Sequence, residues 1–164
     1  MSDPARYLGL NDLVQEVCDA LHQARLRKSY PSQAALVEAV VLVVKGILKS
    51  RLDPLRLKYR IWQGVAELDG MGIQPIYAYE STFIPDLVLE VSGNPTLAFT
   101  IRQLRADPSR QLRASIGEAV IYSRQFPAVI ALLHGLQDQG TNSLLNRAIS
   151  DSLWSAHKIR LLFP

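Results

Sequence analysis

The sequence has a single cysteine, Cys18, and only three histidines, which stand far apart in the chain. One cysteine cannot form an internal disulfide, and no Cys or His spacing typical of a structural zinc site occurs. We therefore predict that Cys18 is a small core residue and expect no metal site built from histidine.

Long apolar runs are also missing from the sequence. No stretch approaches the roughly 18 uninterrupted apolar residues of a membrane helix, and the N-terminus MSDPARYLGLND lacks the basic-then-apolar pattern of a secretory signal. Glycines 64, 70 and 72 match neither the dinucleotide fingerprint nor the lysine-bearing phosphate loop. These absences predict a cytoplasmic protein with no membrane association and no nucleotide cofactor.

The composition is that of one compact domain, with 164 residues of which 48% are apolar and 20% charged. At about 100–200 residues per domain, the length leaves no room for two independent cores. We expect a single domain over 1–164, with an N-terminal helix in 1–30, a core in 31–135, and a C-terminal helix and strand in 136–164.

Positive charge is concentrated in two runs, although the formal net charge is only +3. Residues 45–60 include six basic residues against one acid, and residues 102–124 include five Arg against two acids. The runs indicate either a phosphate-bearing partner or the solvated faces of a mildly basic domain. The candidate nucleic-acid contacts are Lys49, Arg51, Arg56 and Lys58 in the first run and Arg102, Arg105, Arg110 and Arg113 in the second.

The spacing of apolar residues predicts an α/β fold. Helices are predicted over residues 11–27, 34–48, 109–125 and 142–157, and strands over 55–62, 76–80, 84–91, 97–104, 128–134 and 159–163. The continuous apolar run AVIALLH at 128–134 is typical of a buried parallel strand. We expect a central mixed β-sheet flanked by helices, in which the 109–125 helix is the crossover between parallel strands.

A polar surface is predicted on the hairpin of strands 84–91 and 97–104. A turn centred on Asn94 would place Asp86 opposite Arg102 and Val88 opposite Thr100. Strand alternation then puts Asp86, Glu90, Thr100 and Arg102 on one face. The other face is apolar and fixes the register against the helices; its residues are Leu87, Leu89, Val91, Phe99 and Ile101.

This pattern resembles the PD-(D/E)XK superfamily of restriction-endonuclease-like proteins. The residues that carry the likeness are Pro85-Asp86 opening a strand, Thr100-Ile101-Arg102 in the next strand, and a helix containing Gly117-Glu118-Ala119-Val120-Ile121-Tyr122. The likeness spans about residues 31–135 in element order, and Glu38 in a buried first helix also fits. It implies a restriction-endonuclease-like core and a site for metal-dependent phosphodiester hydrolysis.

Two positions depart from the family's pattern. Family members hold Mg²⁺ through the strand aspartate and an acid on the second strand, followed by a lysine, where this chain has Thr100 and Arg102. Arginine stays protonated and cannot act as a base, although it can clamp a phosphate. Glu118 is the first candidate for the missing carboxylate, because some family members supply it from this helix. Glu90 ranks lower, and Glu38 equally fits a solvated stripe with Lys45 and Lys49.

Three functions stay open on the sequence alone. We favour a catalytically inactive nuclease-fold protein that acts as a nucleic-acid-binding or assembly module. The alternatives are a divergent Mg²⁺-dependent nuclease using Asp86 with Glu118 or Glu38, and a protein–protein interaction module with no nucleic acid. We expect no cofactor, or Mg²⁺ bound weakly at Asp86. The catalytic residues, as a remnant or relocated site, would be Asp86, Glu118, Glu38 and Arg102.

Overall fold

The computed structural model describes residues 9–64, 74–78, 80–135 and 144–164. In this part of the chain the elements are α1 (Leu10–Gln23), α2 (Gln33–Leu52), β1 (Tyr59–Gln63), β2 (Ile76–Ala78), β3 (Ser81–Phe83), β4 (Leu87–Val91), β5 (Asn94–Gln103), α3 (Pro108–Tyr122), β6 (Ala128–His134), α4 (Leu144–His157) and β7 (Ile159–Leu162).

Five strands form the central sheet in the order β1-β4-β5-β6-β7. β4 pairs antiparallel with both β1 and β5, whereas β6 pairs parallel with both β5 and β7. The short strands β2 and β3 form a separate antiparallel pair. The expected α/β fold is confirmed: a mixed sheet flanked by helices, with β6 parallel to β5 and α3 as the connection between them.

Apolar side chains cover both faces of this sheet. Helices α1 and α2 pack on one face, where buried residues such as Val40 and Val44 join Leu89 and Phe99. Helix α3 packs on the other face, where Tyr122 and its neighbours join alternate residues of β4, β5 and β6. Strand β6 is buried along its whole length, as its unbroken apolar sequence predicts.

Cys18 lies in the α1–α2 layer, as predicted for a small core residue, and is 6% exposed. Burial raises the pKa of its thiol to about 11, because the thiolate would be desolvated there; the positive charge of Arg160 opposes this only in part. The side chain is therefore a neutral thiol at physiological pH.

Helix α2 extends beyond the predicted 34–48 at both ends. The Ser32 hydroxyl caps its N-terminus by accepting a hydrogen bond from Ala35 N. At its C-terminus, the carbonyl of Leu52 accepts from the amides of Leu55 and Leu57. These bonds hold residues 53–56 in a turn, so β1 begins at Tyr59 and not at 55. No helix in the described ranges combines the length and the apolar character needed to cross a membrane.

The hairpin register differs from the expectation by two residues up to Leu89 and by three beyond it. Val88 pairs with Ala98 and not with Thr100, and after a bulge between Leu89 and Glu90, Val91 pairs with Asn94. The chain reverses through Ser92 and Gly93, which both have positive φ, as in the tight two-residue turns that match strand twist. Because the shift is even from Leu87 to Leu89 and a bulge at Thr96 absorbs the odd residue, the apolar side chains of β4 and β5 stay on their predicted faces.

Other boundaries also moved. Helix α1 ends at Gln23, short of the predicted residue 27, and the strand predicted at 76–80 is one arm of the small β2–β3 hairpin. Positive φ at Glu80 marks the turn between the two arms. The predicted loop at 63–74 lies largely outside the described residues, as do residues 142 and 143 of the last helix.

Asp107 gives a test of how α3 begins. Its φ is +43°, and its carboxylate accepts a hydrogen bond from Arg110 N at 3.1 Å. We expect Asp107→Ala to lower the free energy of unfolding by about 1–2 kcal/mol, because alanine neither caps the helix nor tolerates the left-handed region. Asp107→Asn keeps both properties and should be nearly neutral in urea unfolding. Equal losses in the two variants would contradict this account of the cap.

Candidate functional site

Four of the predicted residues meet on the α3 side of the sheet. Asp86 immediately precedes β4, Thr100 and Arg102 lie near the end of β5, and Glu118 lies in the middle of α3. Alternation along β5 turns Thr100 and Arg102 toward α3, whereas Ile101 between them faces the α1–α2 layer. Packing of α3 across β5 and β6 then brings Glu118 over the strand.

Arg102 lies between the two carboxylates. Its Nη1 donates to Asp86 Oδ2 at 2.8 Å, and its Nη2 donates to Glu118 Oε2 at 2.6 Å. Nη1 also donates to the carbonyl of Ile101 at 2.7 Å. The planar fork of the guanidinium suits this arrangement, because its nitrogens point in fixed and different directions. We call these three side chains the ion triad.

Further hydrogen bonds hold the carboxylates of the ion triad. Asp86 Oδ2 also accepts from the backbone amide of Ile101 at 2.7 Å. Glu118 Oε2 also accepts from the Thr100 hydroxyl at 3.1 Å, and that hydroxyl lies 3.3 Å from Ser115 Oγ. Thr100 and Ser115 are both fully buried. At the position where PD-(D/E)XK proteins have a metal-binding acid, this chain therefore has the neutral hydroxyl of Thr100, which donates to Glu118.

The ion triad is only partly accessible to solvent, with 22% of the Asp86 side chain, 20% of Glu118 and 31% of Arg102 exposed. Burial raises the pKa of Asp86, although Arg102 and the Ile101 amide oppose the shift. For Arg102, burial lowers the pKa, but the two carboxylates outweigh it and the net shift is upward. Arg102 is thus fixed as a cation.

Tyr122 borders the same charges from one turn farther along α3. It is 2% exposed, and burial raises the pKa of its phenol, with the negative charges of Glu118 and Asp86 adding to the shift. The phenol stays neutral and cannot act as a base at physiological pH.

Two candidate acids lie away from the ion triad. Glu90 accepts a hydrogen bond from Trp62 Nε1 at 3.1 Å, toward the edge of the sheet formed by β1. Glu38 is exposed on α2, in the layer on the opposite face, where it borders a shallow groove with Ile61 and Gln63. Of the three acids considered as a replacement for the missing ligand, only Glu118 reaches the surroundings of Asp86.

The candidate nucleic-acid contacts of the two basic runs lie at different ends of the sheet. Lys58 is at the hairpin end, where its carbonyl accepts from Ser92 N, whereas Arg102 is at the far end of β5. Eight residue steps from Asn94 to Arg102 at ~3.3 Å each separate these ends by about 26 Å. Of the candidate nucleic-acid contacts, Lys49, Arg51, Arg56 and Lys58 of the first run and Arg105, Arg110 and Arg113 of the second are exposed.

Some of these arginines already have protein partners. Arg51 forms an ion pair with Glu16 at 2.5 Å, between α2 and α1. Arg105 donates to the carbonyl of Tyr30 and to Gln103 Oε1. Arg110 and Arg113 form no side-chain hydrogen bond or ion pair with a described residue, so their charges face solvent.

Two contributors to the site were not predicted from the sequence. The Ile101 amide carries no sequence signal, because its role depends only on where Asp86 lies beside β5. Ser115 does carry one: it precedes Glu118 by three residues, which places both on one side of a helix.

The residues at this site fit a divalent cation poorly. In the described part of the chain there is no group of three or more His, Cys, Asp or Glu side chains that could hold a metal ion. Asp86 and Glu118 each have one oxygen outside the hydrogen bonds given above, and those two oxygens are the remaining ligands. Mg²⁺ takes six oxygen ligands and loses its bound waters reluctantly. Two carboxylate oxygens beside the positive charge of Arg102 therefore form only a weak site for it.

Removal of the central cation tests the ion triad. We expect Arg102→Met to lower the free energy of unfolding at neutral pH by about 2 kcal/mol, less than for a fully buried pair because these side chains are partly exposed. The pKa of Asp86, already raised, should rise further without Arg102. Protonation as the pH falls then removes the repulsion, so the loss should shrink toward acid pH and grow as the pH rises.

Urea unfolding between roughly pH 4 and 7 measures this dependence. Arg113→Met, which removes an exposed arginine from α3, is the matched control and should have little effect at any of these pH values. A loss from Arg102→Met that does not change with pH would contradict the assigned role.

Comparison with known proteins gave no match to a family model, to a curated protein or to a solved structure. The functional argument for this chain is therefore based on its own residues and their geometry.

Proposed function

We propose that this chain is a catalytically inactive nuclease-fold domain that binds nucleic acid without hydrolysing it. The observation that carries the proposal is the position of Arg102 between Asp86 and Glu118. A guanidinium occupies the place between the carboxylates where a metal-dependent nuclease would need its cation.

Charge and hydrogen bonding both weigh against a catalytic metal there. Two carboxylates and one guanidinium leave a net charge of −1, half the magnitude that the carboxylates would offer alone. A cation that replaced Arg102 would break its bonds to both carboxylates and leave a partly buried guanidinium without a charged partner. Because the pKa of Arg102 is raised further, deprotonation cannot relieve this cost.

The order of elements supports a nuclease-like core for residues 31–135. Apart from the small β2–β3 hairpin between β1 and β4, the order is a helix, three antiparallel strands, a second helix and a parallel strand: α2, β1, β4, β5, α3 and β6. Asp86 precedes the middle strand of the three and Arg102 lies on the last, which are the positions that the resemblance assigns to the strand aspartate and the lysine.

Nucleic-acid binding is supported by the charges around the end of β5. Arg105, Arg110 and Arg113 are exposed there, and Arg102 itself is partly accessible. Of the five N–H groups on a guanidinium, Arg102 uses three on the contacts given above. The other two have no hydrogen-bond acceptor among the described residues, and we assign them to a phosphate oxygen.

A metal titration tests the inactive site. With Mn²⁺ at about 1 mM we expect almost no heat from the wild-type protein, because Arg102 already neutralises the site. Arg102→Ala should gain weak Mn²⁺ binding, since both carboxylates then lack their counter-charge. The double variant Asp86→Asn/Arg102→Ala is the control and should lose that gain. Tight stoichiometric binding by the wild type that disappears in Asp86→Ala would favour the divergent nuclease instead, and Glu118→Gln would then identify its second ligand.

A binding and cleavage assay tests the partner. We expect labelled DNA or RNA to bind without being cut when Mg²⁺ or Mn²⁺ is present. If three to four arginines contact phosphate, log K should fall against log salt with a slope of about −3 on duplex DNA. Arg113→Ala should reduce the slope by about 1 without changing sequence preference, because phosphate contacts carry no base information.

Arg124→Ala is the matched control for this assay, since Arg124 is exposed just beyond the other end of α3. Metal-dependent cleavage abolished by Asp86→Ala would overturn the inactive-site proposal. Absence of binding to every nucleic acid at about 50 mM salt would overturn the nucleic-acid proposal in favour of a protein-binding module.

A further inference from the structure

Two cationic side chains lie close to the ring of Trp154, at the β7 edge of the sheet. Lys158 Nζ lies 5.1 Å from the ring centroid of Trp154, and the guanidinium carbon of Arg160 lies 4.4 Å from the same centroid. Lys158 immediately precedes β7, whose first residue, Ile159, packs on the α3 face, so alternation turns Arg160 to the opposite face. That face carries α1 and α2, and it is opposite to the ion triad.

Neither cation has a negatively charged partner within the described residues. No ion pair involves Lys158 or Arg160, and the guanidinium of Arg160 has no hydrogen-bond acceptor there, although its Nε is fully enclosed. A partly buried arginine normally has acceptors for its N–H groups. The indole ring attracts both cations but neutralises neither of their charges.

Trp62 provides an internal comparison. Arg60 lies 5.8 Å from the Trp62 ring centroid, but there the indole N–H donates to a carboxylate, that of Glu90. The Trp62 surroundings therefore contain their own anion, whereas neither cation beside Trp154 forms an ion pair with a described residue.

The backbone at Lys158 adds a second observation. Its φ is +57°, and its amide donates to the carbonyl of Trp154 as α4 ends. Glycine is the usual residue at this position of a helix terminus, because a side chain strains the left-handed conformation. A lysine placed there brings a flexible ammonium group to the Trp154 ring, which the Arg160 guanidinium also contacts.

We propose that Lys158, Arg160 and Trp154 form a binding site for a phosphate group. A phosphate offers several oxygens to two cations at once, and the guanidinium fork accepts two of them with favourable geometry. The indole surface excludes water from one side and strengthens the attraction. This site stands on different residues, and on a different face, from the arginines of α3, so it does not depend on the proposed nucleic-acid contacts.

The two tryptophans allow a direct test by NMR. In ¹⁵N-tryptophan-labelled protein, the indole N–H signals of Trp62 and Trp154 are assigned from the Trp62→Phe variant. Inorganic phosphate is then titrated at constant ionic strength, with chloride as the balancing anion. We expect a saturable shift of the Trp154 signal and no shift of the Trp62 signal. Equal shifts of both signals, or no saturation, would overturn the proposal.

Lysine variants and a second anion, acetate, test whether the binding is specific to this site and to phosphate. Lys158→Gln should weaken phosphate binding about fivefold, whereas Lys45→Gln, which removes an exposed lysine from α2, should leave it unchanged. Lys158→Gly should also lose binding while unfolding at the same or a higher temperature, because glycine is unstrained at this φ. Loss of binding only where the fold is lost, or acetate binding as tightly as phosphate, would count against a phosphate site.

An oligothymidylate single strand distinguishes the two sources of phosphate. A shift of the Trp154 signal at lower concentration than with inorganic phosphate would assign the site to phosphodiesters, and a response to inorganic phosphate alone would assign it to free phosphate. Arg113→Ala should leave the Trp154 response to inorganic phosphate intact. This separates failure at α3 from failure at Trp154.

Discussion

The guanidinium of Arg102 joins three parts of the chain that are distant in sequence: the segment before β4, the end of β5 and the middle of α3. Its two terminal nitrogens bind two different carboxylates, which a single ammonium group could not do with the same fixed directions. Because these groups are partly withdrawn from water, their arrangement is costly to disturb from either side. The ion triad thus fixes how α3 lies across the polar end of β5.

Hydrogen bonds among these polar groups explain how α3 can pack over charged side chains. Thr100 and Ser115 are fully buried beneath Glu118, and their hydroxyls lie within hydrogen-bond distance of each other. The hydroxyls of Thr100 and Ser115 and the charges of the ion triad are therefore matched by one another, and the apolar remainder of α3 packs beside them. The site and the helix packing are one structural unit.

Much of the sheet could be predicted from the sequence, because the strands differ so clearly in pattern. The unbroken apolar run of β6 indicates a strand covered on both faces, and the alternation in β4 and β5 separates a polar from an apolar face. The register could not be predicted, since it depends on which residues adopt positive φ at the turn. Ser92 adopts it here, although serine favours it far less than glycine does.

The candidate site was predictable in its members but not in their connections. Asp86, Arg102 and Glu118 could be chosen from strand and helix periodicity, which gives the face of each element. Periodicity does not give the layer in which a helix lies, so Glu38 could not be excluded until α2 was located on the other face. That Arg102 binds both carboxylates follows only from three-dimensional distances.

Helix α2 has a consequence for synthesis on the ribosome. Its buried side chains pack against strands up to β6, which is complete about 80 residues after α2 ends, roughly 4–16 s later at typical rates of translation. Until then, α1 is the one described helix already available to cover its apolar surface. The pair α1–α2 therefore emerges first, as a helical hairpin with an exposed apolar surface. Chaperones and neighbouring nascent chains can contact this surface until β6 leaves the exit tunnel and covers it.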